Sequence, residues 1–403
     1  MRGLPTHEAA VLARCADEPM LDHVRLWSEV NSGSTNLTGL AEVAGLLADA
    51  FSTLPGALAL RDAAPGEAMA PDGSLQPIGY GRNLHLAVRP EAPLQILLTG
   101  HMDTVFAADH PFQALAWKEE GVLGGPGVAD MKGGLAVMLA ALKAVETSPA
   151  ASGLGYELVI NSDEEVASLG SAALIRDAAR GKHAAFTYEP AALPDGTLAG
   201  ARPGSGNFSI LIEGRSAHAG RNPGDGRNAI VAAADLTLRL AAIAGPGLTV
   251  NPARIDGGGP NNVVPDRAVV RLNMRPRTLE DQQRAEGLLE KAIAAVAKHH
   301  EVVISLHGGF ARPPKPLDPA SERLFALVRG CGADLGQEID WRDSGGVCDG
   351  NNIAACGVPV VDTMGVRGGA IHSAEEYLIV ASLVERAQLS ALALLRLAAG
   401  EVP

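Results

Sequence analysis

The spacing of apolar residues switches repeatedly along this chain between the helical and the extended period. Leu21, Val24, Leu26 and Trp27 share one face and predict a helix over 18–32, with a break at Ser32, Ser34 and Thr35. Leu40, Val43, Leu46, Leu47 and Phe51 predict a second helix running to about Leu54. Residues 62–82, rich in Pro, Gly and Asp, read as loop. Asn83–Arg89 alternates as a short strand. Ile96–Val105 (ILLTGHMDTV) then opens with an apolar run the length of a buried parallel strand. A buried helix over Leu135–Val145, a strand over Glu157–Asn161, a helix over Ser168–Arg180 and a strand over Ala184–Tyr188 follow. Strands and helices that alternate in this way belong to a parallel sheet.

At about Pro203 the pattern changes. Asn207–Glu213 alternates as a half-exposed strand, Asn228–Ala244 reads as a helix, and Leu248–Asp256 and Ala268–Arg275 as strands. Thr278 with Asp281 opens a helix to about His299, and Val302–His307 is a last strand. The order β-α-β-β-α-β is that of the ferredoxin-like split unit. From Leu317 the first pattern returns, with a helix over Glu322–Arg329, a buried strand over Val358–Asp362 and a long amphipathic helix over Ile379–Leu397. The expected fold class is α/β: a mixed, mainly parallel sheet flanked by helices, carrying an inserted ferredoxin-like α+β domain. Residues 1–202 and 313–403 would form the first domain and residues 203–312 the insertion.

A length of 403 residues supports that division, since single cores seldom grow so large. With 47% apolar and 20% charged residues the chain is globular, not disordered. The formal charge of −13 repels nucleic acid and anionic membranes, and 3% aromatics leaves few rings for stacking bases. Neither nucleic acid nor membrane is an expected partner. Cys15, Cys331, Cys348 and Cys356 are widely spaced with no C-x-x-C pair, and no signal-peptide pattern is visible. A cytoplasmic protein is expected.

Candidate chemistry gathers at the ends of the predicted strands. His101 and Asp103 stand two apart past the apolar run, where extended side chains point the same way. A carboxylate beside an imidazole fixes its tautomer and raises its basicity, as beside a metal-binding histidine. Asp130 lies in the glycine-rich GVADMKGG, the pair Glu164–Glu165 follows strand ELVIN, Glu189 follows the next strand, and His372 follows VPVVD. Each alone reads as a cap, a solvated turn or a buried hydrogen bonder. Together they share one end of one sheet, which marks a site. Two imidazoles and three carboxylates suit zinc or a similar cation better than calcium or magnesium. A pair of ions roughly 3.5–4 Å apart needs a bridging carboxylate, and one of the two adjacent glutamates is then left over as a base.

The motifs HMDTV, GVADMKGG, SDEEVASLGS, YEP, SAHAG, NVVP and IHSAEEY, in that order, resemble the dinuclear zinc peptidases and deacylases of the aminoacylase and carboxypeptidase G type. The glutamate carboxypeptidase branch looks nearest. The resemblance implies a zinc-exopeptidase-like fold holding two Zn2+, with Co2+ or Mn2+ as substitutes. His101 and Glu189 would hold one ion, Glu165 and His372 the other, and Asp130 would bridge, with a cis bond to Met131. Asp103 would orient His101, and Glu164 would be the general base. The inserted domain would act as lid and homodimer interface. His218 would help polarise the scissile carbonyl, often across that interface. Asn262, Arg275 and Gly369 would contact substrate, the first two at its carboxylate. The sequence departs from the family at Asn273, often Asp, and after Gly345 and Gly346, where Val347, Cys348 and Asp349 follow.

The implied activity is an exopeptidase, a metallocarboxypeptidase that cleaves the amide before a C-terminal residue. That residue is expected to be Glu or Asp, with Arg202, Arg221, Arg227 and Arg367 as candidate cations near the cleft. The alternatives are an N-acyl amino acid deacylase of the acetylornithine, succinyl-diaminopimelate or aminoacylase type, and a non-catalytic metal-binding protein on the same scaffold.

Overall fold

A computed structural model describes residues 3–401 of the chain. A six-stranded sheet forms the centre, in the order Ala57–Arg61, Asn83–Val88, Leu154–Asn161, Leu94–His101, Ala184–Thr187, Val360–Val361. The last four strands are parallel and the first two add antiparallel at one edge, so the sheet is mixed and mainly parallel. Side chains alternate across it. Ile96 and Leu98 face one apolar cluster with helices Gly133–Glu146 and Ser382–Ala398 and the N-terminal helices Thr6–Arg14, Met20–Ser28 and Leu37–Phe51. Leu97 and Val159 face a smaller cluster with Ile175, Ala179 and Ile353, on helices Ala172–Ala179 and Asp349–Ala354. This three-layer arrangement explains why Leu94–His101 is apolar almost throughout.

The parallel register aligns the strand ends. His101 pairs with Asn161, and Thr99 with Thr187, so the segments carrying Asp103, Glu164, Glu165 and Glu189 leave the sheet at one edge. Ligand sites of open α/β sheets lie beyond that edge. A second sheet, in the order Gly368–Gly369, Tyr377–Ile379, Val122–Gly124, Ala116–Glu119, ties the segment before Asp130 to the one carrying His372. A Cβ at Gly368 would lie 2.2 Å from the Tyr377 carbonyl oxygen, so only glycine fits this pairing.

Strands Ser205–Glu213, Leu248–Gly257, Arg267–Pro276 and Val303–Arg312 form a separate antiparallel sheet, with the first strand between the third and the fourth. Helices Ala229–Ala241 and Leu279–His300 cover one face around a core of their own, including Ile210, Leu236, Val270 and Leu289. This is the expected split unit. Its last strand runs five residues past the predicted His307, to Arg312.

The loop expected over residues 62–82 is in part a hairpin, Gly66–Met69 with Leu75–Ile78. It lies over the split unit's sheet: Arg271 Nη2 donates to the Met69 carbonyl (2.8 Å) and Arg267 Nη1 to that of Asp72 (3.1 Å). Its turn residues were legible, but its short, exposed strands carry too few apolar positions to show a period of two. Strand Ala57–Arg61 and helix Thr6–Arg14 were likewise not foreseen. No helix among the described residues is long and apolar enough to cross a membrane.

Candidate metal centre

His101 ends its strand almost fully buried. Its Nδ1 lies 3.0 Å from the Asp103 carbonyl and 3.4 Å from Asp103 Oδ1, which directs Nε2 to Asp130 Oδ1 (3.1 Å) and Glu189 Oε2 (3.7 Å). Asp103 also fastens the glutamate pair. Its Oδ1 accepts from the Glu164 N–H and its Oδ2 from the Glu165 N–H, both at 3.1 Å, while Ser34 Oγ donates to Oδ2 at 2.7 Å.

Asp130 lies between the two histidines. Its second oxygen is 3.3 Å from His372 Nε2, which is 3.1 Å from Glu165 Oε2. Thus His101, Asp130, Glu165, Glu189 and His372 converge. The His101 and His372 contacts share Asp130, and Glu164 joins them, its carboxylate close to both His101 and Glu189. The Asp130–Met131 bond is cis, and helix Gly133–Glu146 follows directly. A Cβ at Gly134 would lie 1.9 Å from the Tyr188 carbonyl, so glycine lets this helix approach the strand end carrying Glu189. His372, with φ +62°, is the half-exposed member of the group.

Two supporting residues escaped the sequence reading. Glu376 accepts from the N–H groups of Ala129 and Asp130 through Oε1 and from that of Gly127 through Oε2, and so holds the Asp130 loop. Arg312 is buried and pairs with Glu164 Oε1 at 2.6 Å, with the Asp349 carboxylate on its other side. Motif IHSAEEY contained Glu376 as an unremarked acid. Arg312 sat at the end of the predicted insertion, where nothing in the spacing reveals that it turns back to the cluster.

Burial works against charge on His101, but Glu189, Asp103 and Asp130 outweigh it and hold the imidazole well above its ordinary range. Burial also opposes charge on Asp130, yet His101 and His372 keep it below the usual carboxylate range. Burial pushes Glu165 up to about 7, helped by Asp130 and opposed by His372. It pushes Glu189 and Glu164 up to about 8, against His101 and Arg312 respectively. The buried acids outnumber the cations near them. A donor set of two imidazoles and three carboxylates, short of positive charge, fits divalent cations.

The cluster forms part of the wall of a cavity of about 960 Å³, which Gly369, Arg275, Asn273, Arg202, Arg312 and Cys348 also line. Arg275 donates through Nε to Asn273 Oδ1 (3.0 Å) and through Nη1 to the Gly345 carbonyl (2.9 Å), both neutral. Arg202 is engaged by Asp362 through Nε (2.7 Å) and Nη2 (3.1 Å), and Lys315 Nζ reaches the same carboxylate at 3.0 Å. His218 and Asn262 do not line the cavity. They lie exposed and adjacent on the split unit, where the Ala219 N–H donates to the Asn262 carbonyl. Arg221, Arg227 and Arg367 are also outside it; Arg227 pairs with Glu301 and Arg367 with Glu385. As cations facing this cavity, those three are corrected.

Residues 97–396 match the pattern of peptidase family M20/M25/M40. The chain belongs to that family. Its peptidases and amidohydrolases make this chain an enzyme that hydrolyses peptide or related amide bonds. The chain is 30% identical over 332 residues to carboxypeptidase G2 of Pseudomonas sp. (strain RS-16), covering 80% of this chain and 78% of that one. It is 28% identical over 288 residues to the succinyl-diaminopimelate desuccinylase of Acinetobacter baylyi, covering 67% and 74%. Among solved structures, aminopeptidase PepT from Bacillus cereus shares the fold, with a TM-score of 0.71 at 22% identity over 96% of this chain and 99% of that one.

Proposed function

We propose that this M20 family member is a dinuclear metallocarboxypeptidase that removes a C-terminal acidic residue from small peptides. The observation that carries the reading is Arg275, a cation in the same cavity as the metal cluster whose hydrogen-bond partners are all neutral. Its Nη2 makes no hydrogen bond among the described residues, so a substrate carboxylate can take that partner. Support for an acidic side chain comes from Arg202, which lines the cavity and shares the single carboxylate of Asp362 with Lys315.

Zinc, or cobalt or manganese in its place, would be held by His101 and Glu189 on one side, by Glu165 and His372 on the other, and by Asp130 between them. When bound, the ions supply Lewis-acid polarisation and acidify a water. Glu164 accepts the proton that the attacking water gives up and hands it to the leaving nitrogen as the C–N bond breaks. Arg312 fixes the orientation of that carboxylate and favours its ionised form. Asp103 holds His101 and both adjacent glutamates in one arrangement.

His218 and Asn262 fit this reading if a second copy of the chain brings them to the cavity, which supports a homodimer through the inserted domain. A mass by light scattering equal to one chain, in a fully active sample, would remove that part of the reading. The four free cysteines fit a cytoplasmic setting.

The test is a release assay over peptides differing in C-terminal residue and over N-acyl amino acids, with metal content measured on the same sample. Peptides ending in Glu or Asp are expected to be cleaved fastest, and a chelator to abolish the activity. Equal rates on neutral C-termini would sink the acidic preference. Turnover of N-acyl amino acids alone would favour the deacylase, to which the desuccinylase relative points.

A further inference from the structure

On the far side of the loop before Gly368 lies a second cavity, of about 220 Å³, lined by Asp195, Gln337, Glu338, Arg367, Glu385 and Arg386 among others. Arg386, on helix Ser382–Ala398, is 1% exposed. Its Nη2 donates to the Gly196 carbonyl at 2.7 Å, and its Nη1 has no partner among the described residues. The nearby Glu385 carboxylate is taken by Arg367, at 2.9 Å. A buried guanidinium without a carboxylate is destabilising unless an anion meets it. Burial and the adjacent Arg367 accordingly hold Arg386 below the ordinary arginine range.

The other wall groups define the ligand. Two guanidiniums face three carboxylates. A phosphate or a bare carboxylate would be repelled by Asp195, Glu338 and Glu385, whereas a zwitterion brings a cation for them. Asp195 Oδ1 is occupied by the N–H and hydroxyl of Thr197, and its second oxygen makes no hydrogen bond among the described residues. The volume is below the roughly 300–1,000 Å³ of sites for larger ligands.

We infer that this cavity binds a free α-amino acid, its carboxylate on Arg386 and its ammonium against the Asp195–Glu338 side. The site stands back to back with the catalytic cavity. Arg367 Nε donates to the carbonyl of Pro194, and both Pro194 and the next residue, Gly368, line that cavity. Binding here does not depend on which amide the catalytic site cleaves.

The test uses the full metal-loaded chain carrying Arg275→Ala, which weakens amino-acid binding in the catalytic cavity, and calorimetric titration with L-alanine, acetate, methylammonium and inorganic phosphate. Because all carboxylates and phosphate can meet the metal ions, the quantity read is the binding that Arg386→Gln removes, which is expected for L-alanine and not for the other three. Adding Arg386→Gln is expected to weaken alanine about tenfold or more, the loss of a charge-assisted contact. Should Arg386→Gln fail to fold, the exposed Asp195→Asn and Glu338→Gln decide, each expected to weaken alanine several-fold. No alanine binding, an equal Arg386-dependent part in the binding of acetate or phosphate, or alanine binding indifferent to these substitutions overturns the inference.

Discussion

Replacing Glu376 with glutamine takes one charge and one acceptor from the loop that presents Asp130. Its Oε1 accepts from the Ala129 and Asp130 N–H groups, both at 3.0 Å, and its Oε2 from Gly127 at 3.2 Å. The amide oxygen keeps two of these bonds without the charge, and the new NH2 meets the Gly127 N–H donor to donor. Hydrogen bonds to charged groups contribute about 1.5–3 kcal/mol and neutral ones about 0.5–1.5. Two weakened bonds and one lost bond therefore come to about 3–6 kcal/mol. Burial and the Asp130 carboxylate push Glu376 up to about 7 despite its three donors. In the metal-free chain its ionised form is thus under repulsion, and removing the charge offsets part of the loss. A cation on Asp130 relieves that repulsion, so about half of the cost, ~1.4–2.7 kcal/mol, falls on metal binding and the rest on the stability of the metal-free chain. Zinc affinity is expected to drop about 10–100-fold, as for other groups that support a ligand. A competition titration against a chelator at about pH 8, where Glu376 is ionised, measures this. Thermal unfolding with and without zinc should show a smaller zinc-induced rise in Tm for the variant. Affinity within about twofold of native would refute the claim that Glu376 holds the Asp130 loop.

Glu164→Gln is expected to retain both metals yet lose about a hundred- to ten-thousand-fold in kcat, the usual contribution of a general base; near-native rates would reassign the base. Arg275→Ala should chiefly raise KM, by about 10–100-fold, and an unchanged KM would take Arg275 out of substrate binding. Asp362→Asn leaves Arg202 and Lys315 buried without their carboxylate and should destabilise the chain by about 3–5 kcal/mol in urea unfolding; a loss within experimental error would contradict the ion-pair geometry. Metal-free stability should fall as pH rises from about 5 to 8. Glu164, Glu165, Glu189 and His101 are all raised, so in that window the folded chain binds more protons than the unfolded one. The lowered Asp130 and Asp362 already contribute in full above about pH 4. Urea midpoints across that window, flat or rising in chelated protein, would contradict the assignment, and saturating zinc should remove most of the slope.

What could be read from the sequence was whatever a strand carries to its own end. His101, Glu164, Glu165 and Glu189 each follow an apolar run, and parallel pairing then aligns them without further information. Asp130 and His372 depend on the small sheet joining Val122–Gly124 to Tyr377–Ile379, whose strands are too short for any periodicity to register. Their part in the group followed from residue type, from the glycine-rich loop around Asp130 and from the strand VPVVD ahead of His372, and the resemblance then implied their roles. Arg312 and Asp349 mark where such reading ends. Arg312 closes the edge strand of the inserted unit, and its side chain crosses to Glu164 in the other domain, braced by an aspartate that the sequence showed only as a departure after Gly345 and Gly346. An ion pair of this kind has no spacing, because its partners belong to elements built on two separate cores. Arg312 therefore joins the proposed base directly to the inserted unit. A displacement of the inserted unit that moved strand Val303–Arg312 would also remove the cation that opposes the protonation of Glu164 in a buried site.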